Sequence, residues 1–563
     1  MAIKISGNTV IDDSRNITSS GTMSANAYIG DGSQLTNLPG GGNVLEATAS
    51  GTLADGDPVV VNTNGTVSVV ARVGSAWIAT LGGATFDAGK DIAVDSSGNV
   101  FVVGEADIGG QYDLIIAKYN SSGTIQWQRA LASDSGPGVA VDSGGNVYVV
   151  GRTYLGSSSS NDVTIAKYNS SGTIQWQRKL GGTGSDNGYD ITVDSSDNVY
   201  ISGHTNSAGA GSDDILIAKY NSSGTIQWQR TLGDSSANYV EAIAVDGSGN
   251  VYVTGSTSYG AYYMYVTKLN SSGTIQWTRR IGSGNGEGGN GIAIDSSGNV
   301  YVTGRTRRSG YTDHEVWIVK YNSSGNIQYQ RTLGGTNTDR GNGIVIDSSD
   351  NVYVVGATNS AGSGGFDFII VKYNSSGTVQ WQRTLGVSSN DQGVEIAVDN
   401  SGHIYVIGYS DDGTGNNDFL IAKLPDDGTL TGTYGSITYA ASSFTDAESF
   451  LTDQSHSFTS STSNLPESAS SLNDSASSLT SSTISMAPTN LTSENFIGIS
   501  DGAYSNGQTA TIQLAGSVDD AQSGLTPGSK YYVQNNGTLS TTADSPSVFA
   551  GTAAATTKLI VKN

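Results

Sequence analysis

The chain has no cysteine, only 8 prolines and 4 methionines, and 4 histidines in 563 residues. Without cysteine there can be no disulfide and no thiolate metal site. Charge is also scarce: 14% of residues are Asp, Glu, Lys or Arg, and 27 basic residues face 50 acidic ones, a net charge of −23. Binding of nucleic acid by phosphate neutralisation needs clustered Lys and Arg, so no nucleic-acid partner is expected. No apolar run approaches the ~20 residues of a membrane-spanning helix, so no membrane partner is expected either. The opening Met1-Ala2-Ile3-Lys4-Ile5-Ser6-Gly7 lacks the apolar stretch of a secretory signal, which predicts a chain made without one.

What the chain has in abundance is glycine, 76 residues, in a repeating pattern that is not the Gly-x-y of collagen. Tyr119-Asn120-Ser121-Ser122-Gly123-Thr124-Ile125-Gln126-Trp127-Gln128-Arg129 returns nearly unchanged, ending at Arg178, Arg230, Arg279, Arg331 and Arg383. A second stretch, of the type Asp95-Ser96-Ser97-Gly98-Asn99-Val100-Phe101-Val102-Val103-Gly104, starts at Asp95, Asp142, Asp194, Asp246, Asp295, Asp347 and Asp399, in steps of 47 to 52 residues. A period near fifty signals a repeat architecture. Each unit holds four runs of period two bounded by turn residues, which reads as a four-stranded antiparallel sheet, and such sheets repeated radially make a β-propeller. The Asp-Ser-Ser-Gly-Asn and Asn-Ser-Ser-Gly-Thr turns carry the Gly and the Asp or Asn that tight turns use.

Closure can be argued from aromatics. The last strand of each unit has one at a fixed place, Trp127, Trp176, Trp228, Trp277, Tyr329 and Trp381, six for seven units. The seventh lies upstream, in Ala76-Trp77-Ile78-Ala79-Thr80-Leu81-Gly82-Gly83, so the Trp77 strand is expected to complete the blade begun at Glu395–Lys423 and leave no unpaired seam.

The unit resembles the bacterial SBBP β-propeller repeat. Its second half is similar to the tryptophan-docking motif of quinoprotein propellers: Ala117, Ser122, Gly123 and Trp127 fit, while Tyr119 stands where that motif has Asp. Both resemblances imply fold and assign no chemistry.

The expected class is therefore all-β, with a seven-bladed propeller over 73–434. Residues 1–43 are polar and Gly-rich; Gly7–Asp12 and Tyr28–Pro39 resemble stalk segments of phage tail fibres, which implies a fibrous attachment segment, a homotrimer and other virion proteins as partners. A hairpin segment at 44–72 (Leu53–Ser68) shares its residue offsets with Leu525–Ser540, so it is expected to pair with a small all-β domain at 491–563. Between them 435–490 is Ser/Thr-rich. Leu465, Leu472 and Leu479 are seven apart, which fits a coiled coil poorly because serine is a weak helix former; a linker is expected, one that could be laid along the propeller. The segments Phe496–Ala503, Val548–Thr552 and Lys558–Val561 resemble terminal parts of marine, particularly cyanobacterial, phage structural proteins.

For chemistry the sequence offers little. His204 and His314 sit in separate blade loops and read as solvent-facing; His403 replaces a turn Asn; His456 lies in the Ser/Thr tract. The Asp95 series reads as Asx-type turn caps rather than a calcium ladder, since further carboxylates at alternating positions are missing. A second acidic series opens the third strands (Asp113, Asp162, Asp214, Glu315, Asp367, Asp418, with Tyr263 as the exception) and reads as binding to loop backbone. No metal, cofactor or catalytic group is expected. The uniform turns fall on one face, while the variable loops on the other carry Tyr259, Tyr262, Tyr263, Arg305, Arg307, Arg308 and Tyr311 as candidate ligand contacts. The expectation is a virion-located tail fibre or receptor-binding adhesin that recognises a host surface glycan or protein. A capsid-decorating protein and a propeller enzyme such as a polysaccharide depolymerase are the alternatives.

Overall fold

In the computed structural model, described residues run from 76 to 486, apart from short stretches at 133–134, 155–159, 259–261, 308–312, 412–414, 429, 435, 449–450, 452, 456–458, 463–466, 470–473 and 477–478; on either side the strand backbones are described. Seven four-stranded antiparallel blades form from 87–131, 135–180, 186–233, 238–281, 288–334, 339–386 and 391–424, the last completed by Trp77–Gly82. Trp77 pairs with Lys423 and Leu81 with Phe419, so the expected closing strand is in place. Second and third strands are apolar on both faces and almost wholly buried, because each sheet packs between two neighbours.

One contact repeats around the ring. The fourth-strand aromatic of each blade lies on the Asn-Ser-Ser-Gly turn of the next. Trp77 Nε1 donates to Ser121 O at 3.2 Å, Trp127 to Ser170 O at 3.1 Å, Trp176 to Ser222 O at 3.3 Å, Trp228 to Ser271 O at 3.1 Å and Trp277 to Ser323 O at 3.2 Å. Tyr329 takes the same place on Gly377, and Trp381 donates to Asp426 O at 2.9 Å. The turn residue must be glycine for two reasons. Its φ is positive (+79° at Gly123), and a Cβ there would lie 2.7 Å from Trp77 Cδ2. A Lys on each third strand lies 4.7–5.3 Å over the ring of Phe101 or its Tyr equivalents and, in most blades, reaches the next turn's carbonyl, as Lys118 Nζ does to Ser170 O.

Residues 435–486 are not a linker. They run backwards round the ring and add one outer strand per blade: Ile437–Ala441 on the sixth, Thr445–Glu448 on the fifth, Asp453–Ser455 on the fourth, Thr459–Thr462 on the third, Glu467–Ala469 on the second, Asp474–Ala476 on the first and Thr480–Ser485 on the seventh. Each covers a fourth-strand edge that would otherwise be an open template for pairing. The new edge is short and hydroxyl-rich, a poor template in its turn. Ile437, Phe444 and Met486 are buried, and Leu451 and Leu479 pack against blade cores. In sequence these positions belong to one column spaced by seven, which also holds Phe458, Leu465 and Leu472. The period is that of blades passed, not of a heptad helix: seven extended residues span about 23 Å, one step along the rim. The second Gln of the Gln-Trp-Gln motif holds the belt, with Gln382 Nε2 to Phe444 O at 3.1 Å, Gln330 Nε2 to Leu451 O at 3.1 Å and Gln128 Nε2 to Leu479 O at 2.9 Å. The belt ends beside the closing strand, where Met486 N donates to Ala76 O at 2.9 Å.

Residues 1–74 and 487–563 form a second compact unit. In it Val44–Thr48 pairs with Thr509–Gln513, and Pro58–Val61 pairs with both Phe496–Ser500 and Val67–Val69. A further sheet joins Val518–Asp519, Lys530–Val533, Leu539–Ser540, Val548–Ala555 and Lys558–Val561, and Ile3–Ile5 pairs with Asn8–Ile11. The rest of 1–43 lies outside the described residues.

Emptying the Trp77 site by Trp77→Ala should lower unfolding free energy by about 3–5 kcal/mol. Gly123→Ala should also destabilise, through both its φ and its contact with Trp77. Urea denaturation followed by far-UV circular dichroism reads both, and wild-type stability in Trp77→Ala would show that the ring closes without this strand.

Candidate functional site at the channel mouth

First strands line the central channel, each with a bulge that turns two consecutive residues toward the axis or the neighbouring blade. Asp91 accepts from its own Ile92 N and from Val139 N of the next blade, both at 2.6 Å; Asp190 accepts from Ile191 N at 2.7 Å and Ile243 N at 2.8 Å. Asn290 Nδ2 reaches Gly341 O at 2.8 Å and Asn342 Nδ2 reaches Gly393 O at 2.7 Å. These polar groups stitch blade to blade. Crowding by protein, and then the charges of Asp190 and Glu395, push the Asp91 carboxyl well up.

At the variable end the uniformity of the repeat stops. The residue after the second-strand glycine is different in almost every blade: Glu105, Arg152, His204, Ser256, Arg305, Ala357 and Tyr409. First-strand partners opposite them include Asn187, Tyr239, Arg340 and Gln392. This column is a mouth with sides of distinct chemistry. In the third and fourth blades His204 lies between Tyr189 and Tyr239, with ring centroids 5.0 and 5.7 Å away, and accepts at Nε2 from Asn187 Nδ2 at 3.0 Å. That bond places the ring proton on Nδ1, which is buried without a hydrogen-bond partner. The expectation of a solvent-facing His204 is therefore corrected: it is half-buried among aromatics, and burial lowers its pKa. His314 is half-buried too; burial, then Arg305, Arg307 and Arg340, hold its pKa down.

On the other side, Arg305 and Arg307 are exposed on the second strand of the fifth blade, and Arg340 stands on the first strand of the sixth, 5.0 Å over the Phe366 ring. Burial and then the Arg305 charge disfavour the charged form of Arg340, while Tyr409 of the seventh blade favours it. Among the described residues no carboxylate lies within 4 Å of these three guanidiniums. By contrast Lys90 is paired with Glu105 and Lys179 with Asp162, each at 2.8 Å. Glu241, between the two sides, is exposed on its first strand, and the protein around it raises its carboxyl to about 7 against the pull of Arg305.

Of the loop residues expected to bind, Tyr262 is 53% exposed and Tyr263 lies under the Arg280 guanidinium at 4.7 Å. Tyr263 closes the seam to the fifth blade, beside Gly282 and Glu287. Tyr259, Arg308 and Tyr311 fall outside the described residues. Sequence reasoning placed Phe366 and Tyr409 on the variable face but missed Asn187, Tyr189, Tyr239 and Arg340, and did not join the six as one group. Their signal was the column after the second-strand glycine, variable where all else repeats.

The acidic series opening third strands is also placed. In several blades its member abuts a glycine that ends the fourth strand at the seam with the next blade, where a first-strand acid waits: Gly181 beside Asp162 and Asp186, Gly334 beside Glu315 and Asp339, Gly386 beside Asp367 and Asp391. The first-strand acids accept loop N–H groups, as Asp186 from Gly182 at 2.8 Å and Asp391 from Val387 at 2.8 Å. Thr205 and Thr358 donate hydroxyls to the other oxygens of Asp186 and Asp339. Opposite Asp87 stands Ala106, and Asp87 Oδ1 is buried without a partner. Burial raises Asp87 and Asp391 to about 6, and burial with the charge of Asp391 raises Asp367 to about 7. On the opposite face the turn acids behave in reverse. Burial pushes Asp142 up, but bonds from Asn146 and Tyr148 outweigh it and hold it below the usual value, as they do in Asp194, Asp246, Asp295 and Asp347. In Asp399, Tyr405 and His403 take those roles. Among the described residues no group of three or more His, Asp or Glu side chains could hold a metal ion.

With this geometry in view, residues 126–161, 175–209, 227–258, 276–307 and 328–362 match the SBBP beta-propeller repeat, and residues 96–125 match a beta-propeller domain of unknown function, DUF5122. SBBP repeats are thus found over parts of the first six blades. Each SBBP match starts in a fourth strand, at or just before its aromatic, and crosses into the first two strands of the next blade. The regulatory protein FlaEY of Caulobacter vibrioides is 28% identical over 111 residues, 17% of this chain and 12% of that protein. Among solved structures, the polysaccharide lyase Uly1 is 9% identical (60% of this chain, 90% of that one, TM-score 0.42) and the Dos1 propeller 10% (65% and 81%, 0.37). A gluconolactonase of Xanthomonas campestris is 13% identical (66% and 97%, 0.31).

The two acid sets fix the pH dependence. Acids raised in the fold hold protons that the unfolded chain has lost, so they favour folding below about pH 6 and that advantage fades as pH rises through their folded values. Acids lowered in the fold stabilise above about pH 4 and lose this as pH falls. Calorimetry should therefore find the highest Tm between about pH 4 and 5, several degrees above that at pH 8. Ala106→Thr, which gives Asp87 Oδ1 a donor, should add about 1 kcal/mol at pH 8 in urea denaturation. A flat Tm profile from pH 4 to 8 would contradict the seam assignment.

Proposed function

We propose that this propeller is a non-enzymatic recognition component of a phage particle, a tail-fibre or receptor-binding protein that meets the host surface with its variable face. The observation that carries the recognition half is the group Arg305, Arg307 and Arg340, which among the described residues has no carboxylate within 4 Å, on a chain of net charge −23. Unpaired guanidiniums in an acidic surround are a binding surface in waiting. The particle half rests on the flanking segments that resemble phage stalk and terminal modules. Residues 1–43 would attach the protein to other virion proteins and gather three copies. First-strand acids at the seams accept backbone donors, and Asp186 and Asp339 accept hydroxyls as well, which suits a structural role better than a catalytic one.

Purified protein added to host cells should block adsorption of the particle that carries it, and cryo-microscopy should place the propeller at the distal end of the tail. Propellers on the capsid would favour decoration instead. Unchanged adsorption with protein absent from the virion would end the phage reading.

A further inference from the structure

The variable face divides into unlike halves, and the division specifies a ligand. On the third and fourth blades Tyr189, His204 and Tyr239 form an aromatic wall with a buried, unpartnered Nδ1. On the fifth to seventh blades Arg305 and Arg340 face the same mouth, Arg340 held flat over Phe366. Glu241 links the halves: its charge acts on Tyr189 on one side and is acted on by Arg305 on the other. Aromatic faces stack on the apolar faces of sugar rings, and guanidiniums take planar oxyanions in bidentate fashion. A neutral glycan would leave the arginines unused; a small inorganic anion would leave the aromatic wall unused.

We propose that the channel mouth binds an acidic polysaccharide, with a sugar ring against Tyr239 and Tyr189 and a carboxylate or sulfate group between Arg305 and Arg340. This deepens the recognition reading above by naming the site and the ligand class, and it moves the binding centre from the loop tips to the mouth. The ligand chain would run across the axis from the fourth blade toward the sixth. The Lys90–Glu105 pair of the first blade would contribute no free charge.

The test uses the full chain and three immobilised polymers: dextran sulfate, polygalacturonate and plain dextran. Wild type should retain at least one acidic polymer and not plain dextran; which acidic polymer is held distinguishes sulfate from carboxylate. Arg305→Gln with Arg340→Gln should weaken binding by about tenfold or more. Tyr239→Ala should weaken it too. Lys179→Gln, which removes a cation already paired with Asp162, should change it little. Equal loss in Lys179→Gln would show bulk charge rather than a site. Undiminished binding in the arginine double variant, equal retention on plain dextran, or no retention on either acidic polymer would each overturn the proposal. Far-UV circular dichroism confirms that each variant is folded. Binding with failure to block adsorption would refute the phage role alone; blocked adsorption that the arginine and tyrosine variants leave intact would refute this site alone.

Discussion

Everything in the propeller depends on one contact, an aromatic ring laid flat on a glycine turn of the neighbouring blade. It fixes the turn as Gly at positive φ and fills the space a Cβ would need. It also gives the indole N–H a backbone carbonyl, the one that a third-strand lysine reaches in most blades. Because the contact joins blade to blade, each sheet is stable only with its neighbour, and seven sheets need seven contacts. That is why the chain places Trp77 more than three hundred residues before the strand it pairs with. The belt answers the remaining weakness, the outer edge of each sheet, with a second circuit run in the opposite sense.

Fixing one face frees the other. The Asn-Ser-Ser-Gly and Asp-Ser-Ser-Gly turns are engaged in caps, cation–π contacts and aromatic docking, so they tolerate little change. At the far end of the same strands nothing of this kind constrains the residue after the second-strand glycine. It is therefore the place where blades differ in charge, size and aromaticity around a common axis. Recognition by a repeat protein needs such asymmetry on a rigid frame. Here it comes as an aromatic side and a cationic side within one mouth.

The blade count, the closing strand and the split into uniform and variable faces were legible in the sequence, because each is written in short-range patterns: turn dipeptides, period-two runs, one aromatic per unit. The belt was not. Its hydroxyl-rich composition reads as linker, and its apolar column of one residue in seven is too sparse for a strand of its own; Phe444 and Leu451 matter only once a blade edge lies beneath them. The mouth was half legible. Arg305 and Arg307 stood out as rare cations, and Phe366 and Tyr409 as aromatics of the variable face, but Arg340 stands on a first strand, and no spacing along the chain shows that a ring brings them together. His204 was misjudged because a Gly/Ser-rich neighbourhood suggests exposure, while Tyr189 and Tyr239 that bury it lie on first strands.

The central claim is that the seven blades, the closing strand and the belt form one cooperative ring. Native-state hydrogen exchange measures it most directly. The account predicts that amides of Trp77–Gly82, of the belt strand Thr480–Ser485 and of the fourth strands of all blades exchange with one common opening free energy, that of global unfolding. Fast exchange in the closing strand and belt, with the other six blades still protected, would contradict it.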